Sequence, residues 1–276
     1  MQINQRKFMK ALLLTLSLIA SSCFSQAQVA FYFDQPEELS NNFTRVQTRD
    51  FTLGFNYSSS PGVGGTSGRL DGPFHQSNTL LYNQPLPLVV NLPLTASTYF
   101  AYTNGSGRPN QEVIVAGLVG GLNQGLSRFD GISFLAGGLQ ISGDLTKVQL
   151  FLQSKTSGTV TTINSLSPVF TISDGWYELT SAWTPLNATE FQYSLDMSFH
   201  GSDGIQPGLH LAGLTAQIAN SEIAANGFAF YGITGLYRLQ SVDNISIVPE
   251  PSTLALFSGG GLFLALRLFR RARAKT

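Results

Sequence analysis

The sequence predicts an all-β fold, an antiparallel β-sandwich, on three observations. Apolar and polar residues alternate with a period of two in many short stretches, which Gly, Asn, Ser, Asp or Pro separate from one another. No stretch of the body keeps an apolar 3.6-residue period with a cap at each end. Hydrophobic residues make up 43% of the 276 residues and include 20 Phe, enough to fill one sizeable core. Many short strands without a long helix are typical of a sandwich or barrel.

The candidate strands follow one another at short spacing along the body. The alternation is cleanest in 191–199, so one face of that strand is predicted to point into the core. The stretch 58–72 is predicted to be a long loop because Ser, Gly and Pro dominate it, and two prolines confine any strand in 86–95 to a sheet edge. The other predicted strands are 29–33, 51–57, 79–82, 113–119, 129–135, 147–154, 160–163, 169–172, 176–183, 228–233 and 239–248.

Residues 1–27 are predicted to be a secretory signal peptide. Three basic residues precede an apolar run at 11–20, and a small-x-small cleavage site ends at Ala27, so the mature chain is expected to begin at Gln28. The alternative is a lipid anchor at Cys23, the only cysteine of the chain. After cleavage at Ala27 no cysteine remains, and the domain at 28–247 is expected to fold without a disulfide.

The last stretch, 248–276, combines three features in a fixed order. Val248, Pro249, Glu250 and Pro251 come first, and the two prolines keep the chain extended. An uncharged apolar run then predicts a membrane helix over 252–269, and cations follow it. These cations are Arg267, Arg270, Arg271, Arg273 and Lys275. This order resembles the PEP-CTERM sorting signal of exopolysaccharide-producing Gram-negative bacteria.

The resemblance implies a route out of the cell. Signal peptidase would remove the N-terminus, the C-terminal helix would hold the chain briefly in the inner membrane with its basic tail in the cytoplasm, and an exosortase would cleave near Pro-Glu-Pro. The protein would then reach the cell surface or the extracellular matrix. A permanent tail anchor is the alternative, but a spanning helix needs roughly 20 apolar residues, and the glycines at 259–261 weaken this one. A sorting signal leaves the function open.

Between the two signals the chain is acidic. It carries fifteen Asp and Glu against eight Lys and Arg between Gln28 and Val248, a balance of about −7. A nucleic-acid partner requires clustered cations to displace counterions, and none are clustered here. Nucleic acid is therefore excluded as a partner.

Three short motifs sharpen the fold prediction. The run Gly175-Trp176-Tyr177-Glu178-Leu179 resembles the G-W-Y-x-L strand of concanavalin-like and carbohydrate-binding jelly rolls. Residues 201–204 resemble the loop after the next strand, and 242–247 resemble the closing strand, which is written hydrophobic-D-N-hydrophobic. The resemblance implies a jelly roll. A galactose-binding-like sandwich, which closes with a similar strand, is the alternative.

No catalytic constellation is present in the sequence. The three histidines belong to no His-Glu-x-x-His motif, and neither a Gly-x-Ser-x-Gly elbow nor a phosphate-cradling loop occurs. A sandwich glycosidase would carry carboxylates at alternate positions of one strand, flanking the scissile bond, and that cluster is missing. We therefore predict that the protein is not an enzyme.

Trp176 and Glu178 are the predicted glycan-binding residues. A sugar ring stacks on an exposed flat aromatic ring, and strand alternation puts these two residues on the more polar face of 176–183. Glu178 can accept hydrogen bonds from sugar hydroxyls beside the indole. The alternative is that both tryptophans, Trp176 and Trp183, lie in the core.

No metal site is predicted, and calcium is the one cofactor that the sequence leaves open. Asp203 in the 201–204 loop, and Asp243 with Asn244 in the closing strand, can supply the oxygen ligands that calcium prefers. The same residues also suit a turn or a strand bend, where their side chains bond neighbouring backbone.

Together these features predict an exported, non-enzymatic surface or matrix protein associated with exopolysaccharide. Two alternatives remain: a carbohydrate-active enzyme (hydrolase or lyase) with scattered carboxylates, and a structural matrix protein that binds no sugar. Convergence of Glu178, Glu190 and Asp196 on one concave face would favour the enzyme.

Overall fold

The computed structural model describes residues 28–46, 55–72, 78–104, 108–122, 132–157, 159, 161–235 and 238–249. The chain divides into two compact units, of which one is the body, Val29–Ile247. The other comprises Met1–Gln28 and Val248–Thr276. Only its residues Gln28, Val248 and Pro249 are described, so the predicted signal peptide and the predicted membrane helix at 252–269 lie outside the described residues.

The described part of the body consists of short strands and two short helices. The helices are α1 (Pro36–Asn42) and α2 (Ser221–Asn226), and a 3-10 turn covers Val63–Gly65. The strands are β1 (Val29–Phe31), β2 (Phe43–Val46), β3 (Asn56–Ser58), β4 (Arg69–Asp71), β5 (Asn78–Tyr82), β6 (Leu86–Pro87), β7 (Leu94–Tyr102), β8 (Glu112–Val119), β9 (Phe134–Ile141), β10 (Val148–Lys155), β11 (Thr162–Leu166), β12 (Gly175–Pro185), β13 (Glu190–Phe199), β14 (Leu209–Ala219), β15 (Phe228–Gly235) and β16 (Leu239–Pro249).

The strands form two sheets. Sheet I has the order β14-β13-β12-β7-β16-β4-β3, and β1 pairs with β16. Sheet II has the order β11-β10-β9-β8-β15-β5-β2, and β6 pairs with β15. The strand pairs whose register is described are all antiparallel. The predicted antiparallel β-sandwich is confirmed.

The main core lies between the sheets and follows the alternation of the sequence. On β12 and β13, every second side chain is buried, and the rings of Trp183 and Tyr193 lie 5.3 Å apart in this core. Successive side chains of a strand point to opposite faces. The half-buried residues between the core residues, among them Glu178, and also the buried Trp176 therefore lie on the outer face of Sheet I.

Sheet II is buried on both faces over its central strands. A second apolar cluster lies on the face opposite the main core; its buried members are Leu81, Val115, Val119, Phe134, Ala136 and Phe151. Burial on both faces explains the nearly continuous apolar sequence of β8 and β9. Gly138 allows β9 to approach β8 closely, because a Cβ there would overlap the carbonyl oxygen of Ile114.

Several element predictions differ from the structure, and β2, β7, α1 and α2 were not predicted at all. Strand β14 was not predicted, because it is an edge strand whose side chains are mostly exposed or half-buried. Strand β9 begins at Phe134 and continues through two glycines, where the sequence predicted its end at 135. Residues 169–172 form only a single bridge, between Phe170 and Val148. Strand β4 lies inside the predicted loop at 58–72.

Candidate functional site

Trp176 and Glu178 lie on the predicted face of β12, pointing away from the main core. Trp176 is only 5% exposed, and it packs with Val63 and Ala101 in a small apolar cluster of its own. The expectation of an open aromatic ring at Trp176 is therefore wrong, since the indole is on the outer face but covered. Trp183 lies in the core, as the alternative prediction had it for both tryptophans. Glycan binding by Trp176 and Glu178 stays a prediction.

The segment 61–68, which we call the strap, covers Trp176 through Val63. Two hydrogen-bonding contacts hold the strap from its sides. The backbone N–H of Gly64 donates to the backbone oxygen of Asp203 at 3.2 Å. The backbone N–H and hydroxyl of Ser67 donate to Oδ1 of Asp34 at 2.9 and 2.8 Å.

Asp243 on β16 holds the strap from below. Its buried Oδ2 accepts hydrogen bonds from the backbone N–H of Val63 and the hydroxyl of Thr66, both at 2.9 Å, and Oδ1 accepts from the backbone N–H of Asn244 at 2.8 Å. Burial raises the pKa of Asp243 to about 6, against the effect of these hydrogen bonds. A Cβ at Gly62 would overlap Oδ2, so the strap passes over the carboxylate only because this residue is glycine.

The carboxylate of Glu178 contacts two other side chains on the outer face. The hydroxyl of Tyr99 donates to its Oε2 at 3.1 Å, and Nε2 of His200 lies 3.3 Å from the same oxygen. The rings of Tyr99 and His200 lie 4.9 Å apart. Burial, and then the charge of Glu178 and the hydrogen bond to it, raise the pKa of Tyr99 to about 12. The phenol therefore stays protonated at neutral pH and serves as a donor to the carboxylate.

Two of the three carboxylates that would favour an enzyme come together. Glu178 lies opposite Ser198 and Asp196 lies opposite Thr180, so the two acids are diagonal neighbours on the outer face, with Cα atoms roughly 7–8 Å apart. Asp196 has its own histidine partner, since Nε2 of His210 lies 3.4 Å from its Oδ1. Glu190 is on the same face but six residues along β13, about 20 Å away.

A cavity of about 250 Å³ opens beside Trp176, at the end of Sheet I where β12 begins. Its lining combines Trp176 with residues that bond hydroxyls, namely Arg69, Asp174, Ser202 and Gln240, and with Ala101, Tyr102, Thr103 and Gly175. Drug-sized ligands occupy clefts of about 300–1,000 Å³, so this cavity suits something smaller, such as one sugar ring. An apolar wall with a few polar groups is the chemistry that a sugar ring requires.

Two of the three calcium candidates, Asp203 and Asp243, accept hydrogen bonds from the backbone in this structure. Oδ1 of Asp203 accepts from the backbone N–H of Ile205 at 3.1 Å, which is a turn contact. Both oxygens of Asp243 accept hydrogen bonds, and Asn244 sits at a strand bend with φ 45°. Within the described ranges, no three His, Cys, Asp or Glu side chains come together where they could hold an ion. Calcium binding stays a prediction.

Most of the predicted sorting signal lies outside the described residues. Val248 and Pro249 end β16, whereas Glu250, Pro251 and the cations from Arg267 to Lys275 are not described. Among the residues that are described, no helix has the length and apolarity to cross a membrane.

Comparison with known proteins identifies the C-terminal segment and the fold. Residues 248–271 match the PEP-CTERM protein-sorting motif. The legume lectin-like domain from Entamoeba histolytica superposes with a TM-score of 0.50 at 7% identity, covering 80% of this chain and 97% of that domain. The calreticulin globular domain of T. cruzi gives 0.51 at 12% identity, covering 88% and 98%. Lectin II from Ulex europaeus gives 0.47 at 11% identity, covering 80% and 97%. No curated protein matches the chain.

At these identities the likeness shows the fold alone, a lectin-like jelly roll. The sequence resemblances to the PEP-CTERM signal and to the jelly rolls are both confirmed.

Sequence reasoning missed the strap and most of the cavity lining. Arg69, Ser202 and Gln240 come from three distant parts of the chain, and only the pairing of β4 with β16 brings two of them together. The one local signal was the glycine content of the strap, which was interpreted as an ordinary loop.

Proposed function

We propose that this chain is an exported, non-enzymatic surface or matrix protein that binds carbohydrate and associates with exopolysaccharide. The observation that carries the proposal is the cavity beside Trp176 on a lectin-like sandwich. Trp176 lines this cavity with a small exposed surface, and the carboxylate, amide and hydroxyl groups around it are the partners that sugar hydroxyls need. Glu178 lies two positions from Trp176 on the same face and contributes by accepting the hydrogen bond of Tyr99, which packs against the cluster of Trp176.

The PEP-CTERM motif supports the route to the surface. In this proposal, signal peptidase removes 1–27 and an exosortase processes the chain near Pro249, Glu250 and Pro251. The membrane helix at 252–269 and the basic tail act only until that processing step.

Binding by the segment 28–248 tests the proposal, since the body has its own core and is expected to fold alone. The compounds to be tested are the exopolysaccharide of the producing cell and a panel of glycans, each with and without calcium. We expect saturable binding that Ser202→Ala combined with Gln240→Ala weakens about 25-fold, as the loss of two hydrogen bonds requires. Gln217→Ala, an exposed residue on β14 away from the cavity, is the matched control and should bind like the wild type.

Two substitutions of Trp176 test the role of the indole. Trp176→Ala should abolish glycan binding, whereas Trp176→Phe keeps the packing against Val63 and Ala101 and should retain part of it. If a cooperatively folded 28–248 binds none of the glycans, the structural matrix alternative replaces this proposal.

A carbohydrate-active enzyme is the second candidate, because Glu178 and Asp196 share the outer face at a spacing that hydrolysis can use. Release of reducing ends from the same polysaccharide, lost in both Glu178→Gln and Asp196→Asn, would establish it. The histidine partners of both acids argue for a structural role, and we expect no release.

A further inference from the structure

A second cavity lies beside the first. It has a volume of about 580 Å³ and is lined by Asn56, Tyr57, Ser58, Ser59, Asp71 and Gly72. These residues belong to β3 and β4, the two strands at one edge of Sheet I, and to the turns next to them. Asn56 lies opposite Asp71 in the pairing of the two strands, so both side chains are on the same face.

The two cavities share a wall. Arg69 lines the first and Asp71 the second, and Nε of Arg69 lies 2.8 Å from Oδ1 of Asp71. Gln240 of the first cavity accepts, through its backbone oxygen, a hydrogen bond at 3.2 Å from the backbone N–H of Gly72 in the second. The cavities are therefore adjacent along the edge of Sheet I where β12 begins.

The combined cleft is longer than one sugar ring. From β12 to β3 the strand order crosses four intervals, through β7, β16 and β4. At about 4.8 Å per interval the cleft spans about 19 Å. Groups that bond hydroxyls occur along its whole length, from Asp174 and Ser202 at one end to Asn56 and Ser58 at the other.

The charge of the cleft selects against acidic sugars. Arg69 is the only cation among the described lining residues, and Asp71 already neutralises it. Asp174 adds a negative charge, and the whole body is acidic by about −7. Arg45 lies next to the second cavity, where its Nη1 donates to Oδ1 of Asn56 at 3.0 Å. The lining itself carries Asp71 and Asp174, and the field of the acidic body would repel a uronate or sulfate group.

We propose that the two cavities are subsites of one cleft that binds an uncharged polysaccharide chain across strands β12 to β3. This inference rests on the proposed carbohydrate binding and deepens it by naming the ligand class. A chain that fills both subsites makes more contacts than a monosaccharide, so affinity rises with chain length.

The test uses 28–248 and the exopolysaccharide of the producing cell, separated by anion exchange into neutral and acidic fractions. The neutral fraction is partly hydrolysed and sized into dimers, tetramers and hexamers. We expect calorimetric titration to show at least about tenfold tighter binding of hexamers than of dimers, the gain of a second subsite, and weaker binding of the acidic fraction. Asn56→Ala should weaken hexamer binding about fivefold, the effect of one lost hydrogen bond, and leave dimer binding unchanged.

Asn56→Trp is the second variant, since the indole fills the second cavity and should reduce the affinity for hexamers to that for dimers. Gln217→Ala is the control for both. Equal affinity for dimers and hexamers, preference for the acidic fraction, or an equal effect of Asn56→Ala on both lengths would each overturn the inference while leaving carbohydrate binding intact. Absence of binding by any fraction would instead overturn the proposed function.

Discussion

The carboxylate of Asp243 accepts a hydrogen bond from the backbone N–H of Val63 at 2.9 Å, although 180 residues separate the two in sequence. The contact joins the last strand of Sheet I to the strap. Because Val63 also packs on Trp176, the carboxylate and the exposure of the indole are physically coupled. One buried acid thus fixes the wall of the candidate site.

Asp243 makes stability depend on pH. Its pKa is raised from 3.8 to about 6 in the folded protein, so the folded state binds the proton more tightly than the unfolded state. The stability that this group contributes is fully present below pH 3.8 and is lost as the pH rises through about 6. Asp243→Asn cannot ionise. We expect the unfolding free energy of wild type relative to Asp243→Asn to fall by about 3 kcal/mol between about pH 4 and pH 7, measured by urea denaturation.

Asp144 provides the control of opposite sign. Hydrogen bonds from Thr146 lower the pKa of this exposed acid. Its contribution is present above its unfolded pKa and is lost as the pH falls, so wild type relative to Asp144→Asn should gain stability with rising pH. If the difference for Asp243 stayed constant or rose with pH, the carboxylate would not be held as described.

Loosening the strap should expose Trp176. Thr66→Val removes one hydrogen bond to Asp243, which weakens the contact by about 1 kcal/mol. We expect acrylamide to quench the tryptophan fluorescence more strongly than in the wild type. The chain has two tryptophans, and Trp183 is fully buried, so repeating the measurement in Trp183→Phe assigns the change to Trp176.

Thr146→Val is the matched control, because it removes a similar bond to Asp144 in an exposed turn. Identical quenching in Thr66→Val and Thr146→Val would show that the strap does not depend on Asp243.

The pairing of β8 with β9 depends on Gly138. A methyl group at this position would overlap the carbonyl oxygen of Ile114, a backbone atom that cannot rotate away. We expect Gly138→Ala to lower the unfolding free energy by at least about 2 kcal/mol, as overpacking does. Gly143→Ala meets nothing within 4 Å and should be neutral or slightly stabilising. Equal stability of the two variants would contradict the close approach of the strands.

The fold was predictable where burial on one face imposed a period of two, as in β12 and β13. Strand β14 was missed because an edge strand has little buried surface to pattern its sequence. In β9, the predicted strand ended at 135, before Gly137 and Gly138, and these glycines are required by close packing between sheets and strands. Local composition cannot separate these two uses of glycine.

The candidate site was predictable only in part. Strand alternation placed Trp176 and Glu178 on the outer face, but the cover over Trp176 comes from the strap, more than 100 residues earlier in the chain. The polarity of a strand face depends on the residues of that strand, so it cannot predict that a loop from elsewhere in the chain covers the face. The same limit applies to Asp243: its partners Val63 and Thr66 lie more than 170 residues earlier in the chain, so the closing strand alone suits a calcium ligand equally well.

Asn220 combines two roles that a single substitution can separate. It is the N-cap of α2, where Oδ1 accepts from the backbone N–H of Ile223 at 3.2 Å. Its Nδ2 donates to the carbonyl oxygens of Phe134 at 2.9 Å and Lys155 at 3.1 Å, and the side chain is fully buried. Asp is as good an N-cap as Asn, but it would place a buried negative charge against two carbonyl oxygens.

We therefore expect Asn220→Asp to lower the unfolding free energy by about 3 kcal/mol or more, and Asn220→Ala to cost about 2 kcal/mol, measured by urea denaturation at neutral pH. Asn187→Asp is the control. Oδ1 of Asn187 accepts hydrogen bonds from the backbone N–H groups of an exposed turn, which Asp can also do. The substitution would remove only the exposed hydrogen bond that Nδ2 donates to Glu190. It should cost less than about 1 kcal/mol. If Asn220→Asp were as stable as the wild type, helix capping alone would account for this asparagine, and the two carbonyl contacts would contribute nothing.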